Sequence, residues 1–276
     1  MYRKMFIAAV AALAVTPVLT SCGDDKETVE EEITEAQIVP MRVFTSGVPV
    51  KVGDLNITID QTARVSNMSD NSNEITFTYL SGNASGHGHY DMSMTVKSHG
   101  GATTQCYFTI NEDLIASHCT EVGPSGTKEW DFVYNNQDRL EQIKVSGHAD
   151  WNVANFTYYM QSIGKVAYGN EGDDTPNTIT ISNALSKTNK GCIMLFADNY
   201  GLDIGNMHYA YYAGLLGRAS VNLPAKRVFL SADKSTTDTH EYEWELKGDK
   251  MPARCTVTDY NQDGTTRGQR TIEIGW

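Results

Sequence analysis

Trp130-Asp131-Phe132-Val133-Tyr134, followed by the polar run Asn135 to Arg139 and then Leu140 to Val145, alternates rings with polar residues, breaks on turn formers and resumes with apolar residues. Alternation with a period of two puts the rings on one face of a strand. The stretch therefore predicts a β-hairpin with a dry side and a wet side. The same unit recurs on either side. Tyr107-Phe108-Thr109-Ile110, Asn111 to Asp113 and Leu114-Ile115 form one copy, and Phe156-Thr157-Tyr158 with a turn near Gly164 and Val166 beyond forms another. Tyr242-Glu243-Trp244-Glu245-Leu246, Lys247 to Lys250 and Met251 to Val257 form a fourth. Phe108, Phe132 and Phe156 stand 24 residues apart, a spacing that suits one hairpin per repeat.

Further out, short runs rich in Val, Ile, Thr, Tyr and Phe are broken by Gly, Asn, Asp and Ser from about residue 41 onward. Val50 to Ile59 and Glu74 to Tyr79 read as strands, with Ser66 to Asn73 a polar loop between them. Asn206 to Gly217 departs from this pattern, because Met207, Tyr211, Leu215 and Leu216 fall near helical spacing and Gly217 is a natural stop. It reads as one short helix that plugs or caps the sheet, reached through loop and strand over Gly191 to Gly205. The expected fold class is all-β: an antiparallel meander of aromatic hairpins forming a curved sheet or barrel-like body, with one short helix near 206–217.

The N-terminus carries an address. Arg3 and Lys4 precede an apolar stretch from Met5 to Leu19, too short for a comfortable transmembrane helix and suited to a secretory signal. It ends in Leu19-Thr20-Ser21-Cys22, which resembles the lipobox read by lipoprotein signal peptidase, and this makes Cys22 the expected lipid-attachment residue. The acid run from Asp24 through Glu35 reads as a solvated, self-repelling tether. It also resembles the export signal that carries Bacteroidetes lipoproteins to the outer face of the outer membrane. The expected organisation is a signal peptide over 1–21, an acidic tether over 22–40 and a single β-rich domain over 41–276. Loss of residues 1–21 removes two cations and no acid, so the formal charge of −12 becomes −14. Such a chain is a poor partner for nucleic acid, whose phosphates need Lys and Arg.

Four cysteines remain after Cys22. If Glu112-Asp113 forms a two-residue hairpin turn, counting outward puts Cys106 opposite Cys119, where a disulfide is possible; two buried free thiols are the alternative.

The aromatic hairpins, together with Tyr211-Tyr212-Ala213-Gly214-Leu215-Leu216-Gly217-Arg218 and Leu223-Pro224, resemble a Bacteroidetes lipoprotein family of unknown function with a porin-like fold. The likeness covers about Thr76 to the C-terminus. It implies a curved antiparallel sheet or barrel-like body on a lipid tether and supplies no activity or functional residues. A true outer-membrane barrel shows strands of about ten residues with a lipid-facing apolar band, and these strands are shorter and more charged.

No phosphate-binding Gly-Lys loop, dinucleotide fingerprint, His-Glu-x-x-His helix or Gly-x-Ser-x-Gly elbow occurs. Asp259-Tyr260-Asn261-Gln262-Asp263-Gly264 opens like a calcium loop, but its twelfth position is Arg270, so a hairpin turn on Asp263-Gly264 is the better reading. His87-Gly88-His89, with His99 and His118, offers metal-type nitrogens, although flanking glycines favour a loop tip. Glu241, Glu243 and Glu245 share one strand face, where the solvent side of an amphipathic strand explains them more simply than acid-base work. Trp151, Tyr158, Tyr159, Tyr209 and Tyr212 suit either the core or a stacking surface for sugars or peptides. The leading expectation is a non-enzymatic, lipid-anchored interaction or binding module of the outer membrane, probed by a surface glycan, a protein or a small apolar ligand, with no metal or cofactor. A periplasm-facing carrier with a barrel cavity, and a glycan or peptide hydrolase with an unsignposted carboxylate site, are the alternatives.

Overall fold

Sixteen antiparallel strands, each paired to its neighbour in sequence, close on themselves in a computed structural model that describes Glu35, residues 38–235 and residues 237–276. The chain contains β1 (Lys51–Val52), β2 (Leu55–Ile59), β3 (Val65–Ser69), β4 (Asn73–Thr78), β5 (Gly82–Ala84), β6 (Gly88–Tyr90), β7 (Met92–Ser98), β8 (Thr103–Ile110) and β9 (Ala116–Gly123). It continues with β10 (Gly126–Tyr134), β11 (Leu140–Val145), β12 (Val153–Tyr159), β13 (Ser162–Gly169), β14 (Asn177–Thr188), β15 (Asn222–Leu230), β16 (Thr237–Leu246), β17 (Pro252–Tyr260) and β18 (Thr266–Gly275). Strands β5 and β6 form a separate hairpin on the connection from β4 to β7, and the other strands make the barrel. Closure comes from β1 against β18, with Lys51 opposite Gly275 and Val52 opposite Ile274. The expected meander is thus a complete barrel, which leaves no open sheet edge between first and last strands.

The alternating residues sort as the hairpin pattern requires. Trp130, Phe132, Phe108, Phe156, Tyr242 and Trp244 are buried on the inner face, while Glu241, Glu243 and Glu245 point outward from β16. Outward positions elsewhere are similar in character: Thr76 and Glu74 on β4, Asn155 and Thr157 on β12, Thr178 and Thr180 on β14. The wall is apolar inside and polar outside, the reverse of a barrel that meets lipid with its flank.

The interior is filled. Between β14 and β15 the chain leaves the wall at residue 189 and returns at 221, carrying α1 (Phe196–Tyr200) and α2 (Met207–Tyr212). This insertion touches the wall on every side. Asn206 Nδ2 donates to Glu121 of β9 at 2.9 Å, Asn73 Nδ2 of β4 donates to the Tyr209 hydroxyl at 3.0 Å, and Arg227 of β15 donates to the Ala197 carbonyl at 2.8 Å. Tyr242 of β16 donates to the Asp198 carbonyl at 2.6 Å, and Arg270 of β18 holds the Asp198 carboxylate at 2.5 Å. Phe44 packs on Tyr211 and Tyr212, so the segment before β1 joins the same core.

The Ala213-Gly214-Leu215-Leu216-Gly217 block has a physical reason. Gly214 and Gly217 both sit at positive φ, +85° and +72°. A Cβ on Gly214 would lie 2.8 Å from Cα of Pro40, and one on Gly217 would collide with the Asp138 carbonyl oxygen. Only glycine lets the insertion turn back to the wall there.

The structure departs from the sequence reading at four places. Ser66–Ser69, inside the stretch read as loop, belongs to strand β3, in which Val65 and Met68, three residues apart, both reach the core because the register with β2 shifts between them at Thr58/Ile59. Residues 196–200 are helical, so the insertion has two helices; five residues are too few for a periodic signal. Core packing begins at Ile38, 1% exposed, within the stretch assigned by composition to the tether. Finally, the turn after β8 spans Asn111 to Ile115 with a bulge at Thr109/Ile110, which places Cys106 opposite Glu121 and Cys119 opposite Phe108. The two thiols are diagonal rather than facing, and both are free and buried. Cys22, the signal peptide and the tether up to residue 34 lie outside the described residues.

Candidate functional site

The two ends of the barrel differ in how they are closed. At the near end lie the turns 60–64, 111–115, 135–139, 160–161 and 247–251, the root of the insertion, and the segment 38–50 that leads into β1. At the far end lie the turns 70–72, 99–102, 124–125, 146–152, 170–176, 231–235 and 261–265. Strand β1 reaches only part of the way to the far end. Gly53, in the turn between β1 and β2, donates to the Glu273 carbonyl at 2.8 Å, so β18 runs on from Glu273 back to Thr266 with no β1 beside it. The low wall leaves a notch, and the insertion forms its floor.

The notch is a cleft of about 330 Å³. Leu55, Met194, Phe196, Leu202 and Tyr212 supply apolar surface, and Asp54, Asp70, Asp198, Asp203 and His208 supply the polar groups. Three of these carboxylates already accept hydrogen bonds. Asp70 takes the Tyr209 hydroxyl and the Ser72 and Asn73 amides, the amides at 2.7 and 2.8 Å. Asp198 takes Arg270, and Asp203 takes the Gly205 amide at 2.8 Å. Burial pushes the Asp70 pKa up, but donation from Tyr209, Ser72 and Asn73 outweighs it and holds the carboxyl below its ordinary range. Asp70 is thus an anion held in place, suited to meeting a cation and ill suited to delivering a proton. His208 Nδ1 donates to the Gly205 carbonyl at 2.6 Å, which leaves Nε2 as an acceptor. Burial pulls this imidazole below its ordinary pKa, against the raising effect of the Gly205 carbonyl and of Asp70 and Asp203.

Behind Asp198 runs a chain of charges along the tall wall. Arg270 bridges Asp198 and Asp259, the latter at 2.7 Å; Asp259 lies 2.7 Å from His240 Nδ1; Asp238 stands 2.5 Å from Nε2 and also holds Arg267 at 2.9 Å. Arg227 reaches His240 Nε2 at 2.9 Å. Burial and then Arg227 pull the His240 pKa down, against Asp238 and Asp259, which favour the charged form. The chain ties the insertion to β15–β18 and fixes one side of the cleft.

The residues singled out by sequence fall elsewhere. His87 and His89 lie on the β5–β6 hairpin, His99 in a far-end turn and His118 on the outer wall between Glu129 and Asp131, so the structure does not assemble them. Among the described residues no group of three His, Cys, Asp or Glu is placed to hold a metal. Glu241 pairs with Lys226 at 3.1 Å and Glu245 with Arg254 at 3.1 Å on the outer face. Asp263-Gly264 forms the hairpin turn between β17 and β18, with Gly264 at φ +81°, while Asp259 belongs to the inner charge chain. Trp151, Tyr158, Tyr209 and Tyr212 pack inside, and Tyr159 alone of that set is largely exposed. Asp54, Asp70, Asp198, Asp203 and His208 were missed because they belong to three separate chain segments. The aspartates at turn positions 54, 70 and 203 are the sole local trace.

No protein-family model matches the chain, and no curated protein matches its sequence. Among solved structures, a porin-like protein from Bacteroides uniformis ATCC 8492 aligns with TM-score 0.56 at 17% identity over 80% of this chain and 88% of its own. A porin-like protein from Bacteroides vulgatus ATCC 8482 aligns with TM-score 0.38 at 12% identity over 83% of this chain and 98% of its own. The chain has a porin-like barrel fold.

Proposed function

We propose that this chain is a lipid-anchored, non-enzymatic binding module of the outer membrane that takes its ligand in the far-end cleft. The observation that carries the reading is the notch left where the short strand β1 ends beside β18, with its apolar floor and its rim of carboxylates. Clefts of this size that combine apolar lining with a few placed polar groups are the usual form of a small-ligand site. The matching ligand has a compact apolar body and a positive charge: an amine-bearing small molecule or a basic chain end. Cys22 supplies the anchor. Several acyl chains hold a protein far more firmly than one, since each buried CH₂ contributes about 0.8 kcal/mol.

The carrier reading gains nothing from a barrel lumen, because the insertion fills it; a carried ligand would sit in the same mouth cleft. The hydrolase reading loses its strand carboxylates, which face water, Glu241 and Glu245 in ion pairs. The test is thermal unfolding with 2-phenylethylamine and with its carboxylate counterpart 3-phenylpropionate. Saturation at 100 times Kd adds about 2.7 kcal/mol of stability. The amine is expected to raise Tm, the acid to leave it unchanged, and Asp70→Asn with Asp203→Asn to abolish the amine effect. Equal responses to both probes, or an amine shift that survives the double substitution, would remove the cleft from the account.

A further inference from the structure

The exposed apolar side chains of the barrel are gathered at one end. Among the described residues the large exposed hydrophobics are Met41, Val50, Leu80, Val133, Tyr159, Met160, Leu185 and Leu230. All but Leu230 lie at or beside the near end: Met41 and Val50 in the segment before β1, Leu80 after β4, Val133 at the close of β10, Tyr159 and Met160 at the β12–β13 turn, and Leu185 late in β14. Single exposed apolar residues are ordinary, but their concentration on one end of a polar-walled barrel is informative.

Charge divides the same way. The far-end turns carry seven Asp or Glu and one Lys. The near-end connections, counted over Glu35, 38–50, 60–64, 79–91, 111–115, 135–139, 189–192, 217–221 and 247–251, carry seven of each sign. Three of those cations, Arg139, Lys190 and Arg218, line a depression of about 230 Å³ with Thr45 and Ser46. Arg218 is held only loosely, 3.7 Å from Asp138. The N-terminal segment arrives at this end, where Glu35 bridges to Leu80 and pairs with Arg64 at 2.5 Å.

One turn stands out. Met160 is 84% exposed, and both it and Gln161 adopt left-handed backbone, φ +49° and +63°. Hairpin turns of that form favour Asn and Gly. An exposed methionine in a conformation it disfavours contributes nothing to the fold, so its place at the tip asks for another reason.

We propose that the near end is a membrane-docking surface: its apolar rim sits in the headgroup layer, and the Arg139, Lys190 and Arg218 depression takes an anionic lipid headgroup. The inference rests on the lipid anchor at Cys22 proposed above; Glu35, the first described residue, lies at this same end. Docking turns the acidic far end and its cleft away from the anionic surface. Amphipathic surfaces bind membranes through buried apolar area plus attraction of cations to anionic lipid, and the near end offers both.

The test uses the full lipidated chain, with Cys192→Ser to remove its half-buried thiol, in vesicles of phosphatidylethanolamine and phosphatidylglycerol that carry a lipid-borne quencher. A fluorophore is placed at Asn136→Cys in a near-end turn or at Gln262→Cys in a far-end turn. Docking predicts strong quenching at 136 and none at 262, with loss of the near-end signal in phosphatidylcholine vesicles. Met160→Asn suits the turn better, so it is expected to keep or raise Tm while weakening the quenching at 136. Chain that floats with vesicles and shows quenching at neither position would overturn docking and leave the anchor standing. Chain that does not float would overturn the anchor and docking together. Quenching at both positions would place the wall itself in lipid and also contradict the proposal.

Discussion

The tall wall, β14 to β18, and the low wall, β1 to β3, are built from the same alternation yet do different work. Strands of nine to twelve residues in the first carry Tyr242, Trp244 and the chain Arg227–His240–Asp259–Arg270, all turned inward onto the insertion. Strands of two to five residues in the second bury Val52, Leu55, Ile57, Val65 and Met68, and β1 stops short of the far end beside β18. The difference teaches that height, rather than composition, decides where this barrel has a site. Along the tall wall the insertion is latched by side-chain hydrogen bonds and ion pairs; beside the short β1 it is left open and becomes the floor of a cleft.

Truncation in each wall gives the largest contrast. Trp244 is buried and its indole N–H donates to the Pro224 carbonyl at 2.8 Å. Trp244→Ala is expected to cost about 3–5 kcal/mol, since it leaves a large void and an unpaired carbonyl, whereas Leu55→Ala, beside an open cleft that can relax, should cost about 2–3 kcal/mol. Urea unfolding measures both. Equal losses would mean that the low wall is packed as tightly as the tall one.

A smaller effect comes from pH. His240 serves the tall wall and His208 the cleft, and burial lowers the pKa of each below the value of 6.5 expected for the unfolded chain. A histidine depressed in the folded state binds its proton more readily once unfolded, so the stability it contributes is complete above pH about 6.5 and is lost as pH falls through the window below. Unfolding followed between pH 7.5 and 5 should show stability falling on acidification. His208→Asn should flatten part of that slope, and His240→Gln a separate part. A slope untouched by both substitutions would assign it to other groups.

Much of this fold can be read from the chain. The 24-residue spacing of Phe108, Phe132 and Phe156 marks three successive hairpins, β8–β9, β10–β11 and β12–β13, with all three rings inside. The helical spacing around Met207 and Tyr211 locates α2. Local patterns, however, carry no record of closure: Lys51 finds Gly275 across the whole domain, and two residues of strand give no periodicity. Nor do they record turn length and bulges, and the longer turn at 111–115 together with the bulge at Thr109/Ile110 moves Cys106 off Cys119. The cleft was hidden for the same reason. Asp54, Asp70 and Asp203 become one rim only after the barrel closes and the insertion fills it.

The central claim is that this is a filled barrel with water around its whole flank, standing at a membrane rather than spanning it. Thr76→Cys, Thr157→Cys, Thr180→Cys and Glu243→Cys, each made with Cys192→Ser, put one thiol on the outer face of β4, β12, β14 and β16, while Cys106, Cys119 and Cys255 stay buried. With the lipidated chain in vesicles, a charged, membrane-impermeant thiol reagent should modify all four positions as fast as it does in detergent-free solution of the unlipidated chain. Protection of all four on vesicles, lifted when the membrane is dissolved, would place the flank in lipid and contradict the account.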